Sequence, residues 1–322
     1  MDHPGQTWRR ANTDWLKDSR WGVLGCYLAD TASNLQPTAL PVDAWNRRLD
    51  AFDVEGLAAQ LAEAGAPYFM LTIGQNSGYY LSPNRTYDDI VGIRPSKCSR
   101  RDLIADLAHA LASRKIRLLA YLPGAAPASD AIAKAQLEGQ PDERMSQLQR
   151  NLEAVLREWS LRWGPALSGW WIDGPYNAAA YQHPDAPNYR SFAEALKAGN
   201  PDAIVAFNNG LRTPLYSMTE FEDFTPGEIE RDLTVAAGNT PDYSRLQNYE
   251  RFLNGAQLHV LTIMGEWWGK GPVRFPDELT IGYTKFINRR GGAVTWDVPL
   301  TTTGLIDDSF RPQLAALGHS AD

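Results

Sequence analysis

Cysteine is almost missing from this chain. Cys26 and Cys98 are the only two in 322 residues, too few for a disulfide framework, and no Cys-x-x-Cys or Cys/His cluster suggests zinc. The five histidines, at positions 3, 109, 183, 259 and 319, are scattered. His109 lies among apolar neighbours in a helical stretch, where packing explains it better than catalysis. Positive charge is in deficit: 31 Lys and Arg face 38 Asp and Glu, a net charge of −7. An acidic surface argues against nucleic acid or an anionic membrane as partner, since both attract basic proteins. No apolar run approaches the ~20 residues of a membrane span, and no glycine-rich phosphate loop follows the first predicted strand. The opening "MDHPGQTWRR" has no apolar core of a signal peptide, so a cytoplasmic location is expected. With no repeat, low-complexity tract or linker, the expectation is one domain over residues 1–322 that needs no metal or cofactor.

Aromatics, by contrast, are abundant. Eleven Trp, 13 Tyr and 10 Phe exceed what a core of this size requires, and ring faces that stack on sugars are one use for the excess. Short apolar runs recur along the chain: "WGVLGCYL" (21–28), "PYFMLTI" (67–73), "IRLLAYLP" (116–123), "GWWIDG" (169–174), "AIVAFNN" (203–209), "EFEDFT" (220–225), "LHVLTIM" (258–264) and "AVTWDVPL" (293–300). Such runs suit strands buried on both faces of a parallel sheet. Between them lie helical patterns. "DVEGLAAQLAEAG" opens on an Asp cap, "SRRDLIADLAHALASRK" on a Ser cap, and "ERMSQLQRNLEAVLREWSLRW" is long and periodic; "NYRSFAEALKAGN", "DYSRLQNYERFLNG", "FPDELTIGYTKFINRRGG" and "SFRPQLAALG" follow. Eight strands alternating with helices predict an α/β fold of the (β/α)8 TIM-like barrel type. The weakest strand is the short, acidic sixth, with no helix evident before it. A doubly wound open sheet is the alternative.

Chemistry in such a barrel gathers at the C-terminal strand ends. Those ends offer Gln75 and Asn76 after the second strand, Asp173 after the fourth, Asn208 and Asn209 after the fifth, Glu228 after the sixth, Glu266 after the seventh and Asp297 in the eighth. Trp170, Trp171, Trp267, Trp268 and Trp296 accompany them. Carboxylates flanking an aromatic pocket suit glycosidic bond cleavage, one attacking the anomeric carbon and the other protonating the departing oxygen. Plainer readings exist: Asp173 capping a turn before Gly174, Glu228 in a helical first turn, Glu266 in solvent and Asp297 as a structural acceptor.

The residues also carry a resemblance. "WLKDSRWGVLGCY", "FDVEGLAAQLAEAGAPYFMLTIGQNSGYYLSPN", "SRRDLIADLAHALASRKIRLLAYL", "GWWIDG", "EDFTPGE" and "RRGGAVTWDVPLTTTGLIDDSFRPQLAALG" come in the same order as the motifs of the α-L-fucosidase family of retaining glycoside hydrolases, which the chain resembles over nearly all its length. The resemblance implies Asp173 as nucleophile and Glu228 as general acid/base. The family's "KHHDGF" is here "GQNSGY", so Gln75 and Asn76 stand where imidazoles would grip sugar hydroxyls, and the family's usual C-terminal β-sandwich is not expected. The expected subsite wall comprises Gln75, Asn76, Tyr79, Trp171, Asn208, Trp267 and Trp296, with Asp297 beside it and Glu266 as reserve acid. The expected partner is a carbohydrate. Alternatives are the same scaffold acting on another sugar, such as a pentose or a different deoxy sugar, a catalytically inactive carbohydrate-binding barrel, or acid/base isomerisation.

Overall fold

A computed structural model describes residues 8–30, 40–175, 178–208, 210, 211, 215–229, 233 and 249–320. Its centre is a curled, all-parallel sheet of seven strands: β1 (Trp21–Gly25), β2 (Tyr68–Thr72), β3 (Arg117–Pro123), β4 (Gly169–Asp173), β5 (Ile204–Asn208), β8 (His259–Ile263) and β9 (Ala293–Val298). The spatial order is β5-β4-β3-β2-β1-β9-β8. The first strand therefore pairs with the last, Leu24 opposite Asp297. A doubly wound sheet would instead reverse its strand order midway; this one is the half-barrel of a TIM-like fold.

The sheet is not closed, and the expected sixth strand at 220–225 is not formed. An irregular segment lies between β5 and β8 in its place. It bonds to β5 through side chains and backbone alike: Glu222 accepts from the Phe207 amide at 3.0 Å and Asp223 from the Val205 amide at 2.8 Å, while Asp223 N donates to Val205 O at 2.8 Å. Toward β8 its bonds are mostly backbone, from Thr225 N to Gln257 O and from Leu261 N to Gly227 O, both 2.9 Å. Acidic side chains thus satisfy strand amides that a ladder would otherwise satisfy. Asp223 is paired with Lys197 at 2.6 Å, and both are nearly devoid of exposure. Burial pushes Glu222 up to about 7, although the amides of Phe207, Thr219 and Met218 and the Ser217 hydroxyl pull it down. The N-terminal residues brace the same segment, with Ala11 N donating to Asp223 at 2.6 Å and Arg10 Nε to Glu222 O at 2.6 Å.

Strand alternation sorts the core into two layers. Tyr68, Met70, Leu119, Tyr121, Trp171, Ile204, Ala206 and Leu261 face inward, joined by Leu16 of helix α1 (Asp14–Ser19). Phe69, Leu71, Trp170, Ile172, Val205, Phe207 and Trp296 face outward, into the layer shared with the helices. Deep inside, a polar chain crosses the interior. Tyr68 Oη and Thr295 Oγ1 lie 2.7 Å apart, as do Thr295 Oγ1 and His259 Nε2. His259 Nδ1 faces the Thr225 carbonyl at 3.0 Å. A carbonyl only accepts, so Nδ1 carries the proton, and burial holds the imidazole down at about 4.

Of the two helix caps expected from the sequence, one holds. Asp53 accepts from Gly56 N at the start of α3 (Val54–Glu63). The cap of α5 (Leu103–Ala112) is Asp102 rather than Ser99, and Asp130 caps α6 (Ala131–Glu138). The long α7 runs Ser146–Trp163. One expected helix fails. Part of "DYSRLQNYERFLNG" lies outside the described residues, and its end is a hairpin, β6 (Phe252–Leu253) and β7 (Ala256–Gln257). Asn254 and Gly255 turn it with φ of 50° and 82°, the pair of left-handed residues that a two-residue hairpin turn demands. Among the described residues no helix is long and apolar enough to cross a membrane.

Candidate active site

The inward parity of β4 turns Trp171 and Asp173 into the barrel while Trp170 and Ile172 point out. Asp173, the last residue of β4, stands opposite Asn208, the last of β5. Above them opens a cleft of about 580 Å³ whose wall includes Gln75, Asn76, Asp173, Glu228, Trp267 and Trp268.

Asp173 is held on both oxygens. Tyr121 Oη donates to Oδ2 at 2.5 Å, and Asn208 Nδ2 donates to Oδ1 at 2.9 Å. Gln75 Nε2 donates in turn to Tyr121 Oη at 3.0 Å. Burial, with the Asp173 charge and its hydrogen bond behind it, raises the Tyr121 hydroxyl well above the ordinary phenol range, so it is a fixed donor. Tyr121 also stacks on Trp171, centroids 5.0 Å apart and planes 16° from parallel. Such a pair adds about 0.5–1.5 kcal/mol beyond its burial and stiffens the floor of the cleft.

Glu228 arrives from the irregular segment. Trp171 Nε1 donates to Pro226 O at 3.0 Å, and Ile229 N to Leu261 O at 2.9 Å, pinning the chain on either side of the acid. Between them Gly227 has φ of 63°, and a Cβ there would fall 2.0 Å from His259 O. Only glycine fits so close to a neighbouring backbone. Gly227→Ala is therefore expected to push Glu228 out of place, cutting turnover by about 100-fold or more and lowering the unfolding temperature. Equal activity in the folded variant, measured by initial rates, would show that Glu228 does not depend on this contact.

Asn208 Nδ2 donates to Glu228 Oε2 at 2.6 Å as well as to Asp173 Oδ1 at 2.9 Å. The two carboxylate oxygens can lie no further apart than these lengths laid end to end. Asp173, Glu228, Gln75, Asn76, Trp171, Asn208 and Trp267 are thus brought to one place, as the sequence suggests.

Of the expected site residues, Tyr79, Trp296, Glu266 and Asp297 do not line the cleft. Tyr79 is buried behind it, bonding to Leu40 O and packing edge-on against Trp45. Trp296 faces outward, its Nε1 on Thr284 Oγ1 at 3.1 Å in the helix Asp277–Asn288; neighbours on a strand point opposite ways, so Trp296 and Asp297 cannot both face the cleft. Glu266 is exposed beside a tight turn and does not line the cleft. Asp297 is fully buried beneath it, accepting from Gly269 N at 2.6 Å and lying 3.4 Å from Cys26 Sγ. Burial pushes Asp297 up to about 7. Its task is to anchor the turn at 267–270 that presents Trp267 and Trp268. Asn209 lies outside the described residues.

Tyr121 and Cys26 line the cleft too, and the sequence reading passed over both. Tyr121 was discoverable: it shares parity with Leu119 two residues earlier and sits near the C-terminal end of its strand. Among the described residues no group of three or more His, Cys, Asp or Glu is arranged to hold a metal ion.

No family model matches the chain, and no curated protein matches its sequence. Solved structures do match it. An endo-fucoidan hydrolase of glycoside hydrolase family 107 superposes with a TM-score of 0.71 at 15% identity, covering 95% of this chain and 92% of that one. A second endo-fucoidan hydrolase of that family has a TM-score of 0.71 at 17% identity, and the match spans 95% of this chain but only 53% of the other. An α-L-fucosidase from Bacteroides thetaiotaomicron, trapped as a covalent intermediate, gives 0.62 at 15% identity, covering 98% of this chain and 76% of that one. These neighbours are glycoside hydrolases, and at such identities the likeness is one of fold.

Proposed function

We propose that the chain is a glycoside hydrolase of the fucose-active type that cleaves a terminal α-L-fucosidic bond with retention. One observation carries the reading: Asp173 and Glu228 share the Asn208 amide in an aromatic cleft. Their closest oxygens are then about as near as the 5–5.5 Å that separates the carboxyls of retaining glycosidases. Inverting enzymes need room for a water between the two and keep them about 6.5–9.5 Å apart.

In the first step an Asp173 oxygen bonds to the anomeric carbon while the bond from that carbon to the leaving oxygen breaks. The Glu228 proton goes to that oxygen. In the second step water gives a proton to Glu228 and attacks the same carbon, releasing Asp173. Tyr121 and Asn208 hold the nucleophile in its ionised form, since donors to a carboxylate favour its charge. Trp267 and Trp268 offer faces for sugar rings. The fold neighbours support the sugar class: their names are those of fucosidases and endo-fucoidan hydrolases, and one of them was trapped covalently with 2-fluoro-fucosyl fluoride.

A second reading keeps the chemistry and changes the sugar. It is favoured by Gln75, whose Oε1 is buried with no hydrogen-bond partner, a neutral acceptor awaiting a hydroxyl donor. A panel of nitrophenyl glycosides separates the two, with α-L-fucoside expected to be cleaved fastest. Proton NMR of the first-formed sugar is expected to show the anomer of the substrate. Appearance of the opposite anomer, or no release from any glycoside, overturns the proposal.

A further inference from the structure

Asn208 serves two acids with one nitrogen. It ends β5 opposite Asp173 and is fully buried. Nδ2 has two hydrogens; Asp173 Oδ1 lies at 2.9 Å and Glu228 Oε2 at 2.6 Å. The other amide atom, Oδ1, is buried and has no hydrogen-bond partner among the described residues. The orientation is thus set by the acids: turned over, the amide would aim an oxygen at two carboxylates.

We propose that Asn208 is a positioning residue that gives one hydrogen to each acid and so allows Asp173 and Glu228 to carry charge side by side. Its catalytic meaning rests on the proposed function; its electrostatics do not. Two neighbouring carboxylates each resist ionisation because the other is charged, and a donor to the charged form opposes that resistance. The donor sits on a strand rather than a loop, so the opposition does not relax when the cleft is empty. Because Oε2 of Glu228 already receives an N–H, the proton that Glu228 carries as an acid belongs on Oε1. Among the described residues, ionisable groups near the pair include Tyr121, which donates to Asp173, and Cys26 with Asp297 on the far side. Glu222, earlier on the same segment, turns to the Phe207 amide instead.

The test is a carboxyl carbon NMR titration of protein labelled at its Asp and Glu side chains, with signals assigned through Asp173→Asn and Glu228→Gln. In Asn208→Ala the apparent pKa values of the pair are expected to rise by about one unit. Values unchanged to within a few tenths of a unit would overturn the proposal. Should Asn208→Ala fail to fold, Asn208→Ser is read in the same way; its single hydroxyl serves one acid only, so a rise confined to the other is expected, and no rise at either overturns the proposal. Where glycoside turnover is measurable, the alkaline limb of kcat/KM should move upward with the titration. A lower rate with both limbs fixed would mark Asn208 as structural only. If the wild type cleaves no glycoside, the titration still decides the role of Asn208 while the proposed function alone fails.

Discussion

Asp173→Ala should lower turnover of an activated glycoside by about 10⁴-fold or more and leave the unfolding temperature unchanged or raised. The two halves of this result have one origin. Asp173 sits on β4, whose ladder to both neighbours does not involve the side chain. Its removal therefore leaves the ladder intact while taking an acceptor from Tyr121 and Asn208. Against that loss stands relief of repulsion with Glu228, held by the same amide. The chemistry has no such compensation: among the described cleft residues the other carboxylate is Glu228, which the proposal assigns to the leaving oxygen. Azide supplies the decisive control. In Asp173→Ala it should enter the vacated space, restore release of the leaving group and yield a glycosyl azide of inverted configuration. In Glu228→Ala it should yield the retained one. Unimpaired hydrolysis by Asp173→Ala would end the nucleophile assignment.

The largest stability effect is expected far from the chemistry. Lys197→Met should cost about 3–5 kcal/mol at neutral pH, because it strands a buried charge. Asp223 is essentially unexposed, and Lys197 is its cation at 2.6 Å. Burial raises Asp223 while Lys197 is the strongest influence lowering it, so the variant's Asp223 titrates higher still. An acid with a raised folded pKa favours the folded state below its unfolded pKa, and that support is lost as pH rises through the folded value. The deficit of Lys197→Met should accordingly be smallest at acidic pH, where Asp223 is protonated in both states, and grow as pH rises above the ordinary carboxyl range. Denaturant titrations of both proteins at several pH values check this. A deficit independent of pH would mean that lost packing, rather than the lost cation, is responsible.

Much of the architecture could be read from the chain because buried parallel strands leave a blunt signal. All seven strands of the parallel sheet fall inside predicted runs, and Asp173 is discernible as an acid ending an aromatic strand. The seam between β5 and β8 was not. "EFEDFT" resembles a poor strand, and nothing in its composition reveals that two carboxyls would take over the bonding of a ladder. Side-chain bonding of this kind depends on where β5 lies, which is tertiary information. The hairpin at Asn254–Gly255 is a different case: Asn-Gly is a strong turn signal, but the helical pattern of the residues before it competes with that signal. At the site, the failures follow from parity. Trp296 was grouped with Asp297 by proximity in sequence, although alternation allows only one of them to face inward. Asp297 and Tyr79 show the other limit. Both are polar groups at the rim of the barrel, yet each is used to brace a loop, Asp297 through Gly269 N and Tyr79 through Leu40 O.

The irregular stretch that carries Glu228 has a practical consequence for redesign. The proposed nucleophile belongs to a sheet ladder, while the proposed acid sits on an irregular segment pinned by Trp171 to Pro226, by the backbone bonds of Gly227 and Ile229 to Leu261 and by the close approach at Gly227. Grafts that lengthen or re-aim that piece would change which leaving groups the proton can reach while the attacking carboxylate stays where it is. Altering aglycone preference and altering sugar preference become two independent engineering problems, solved on opposite sides of the same gap.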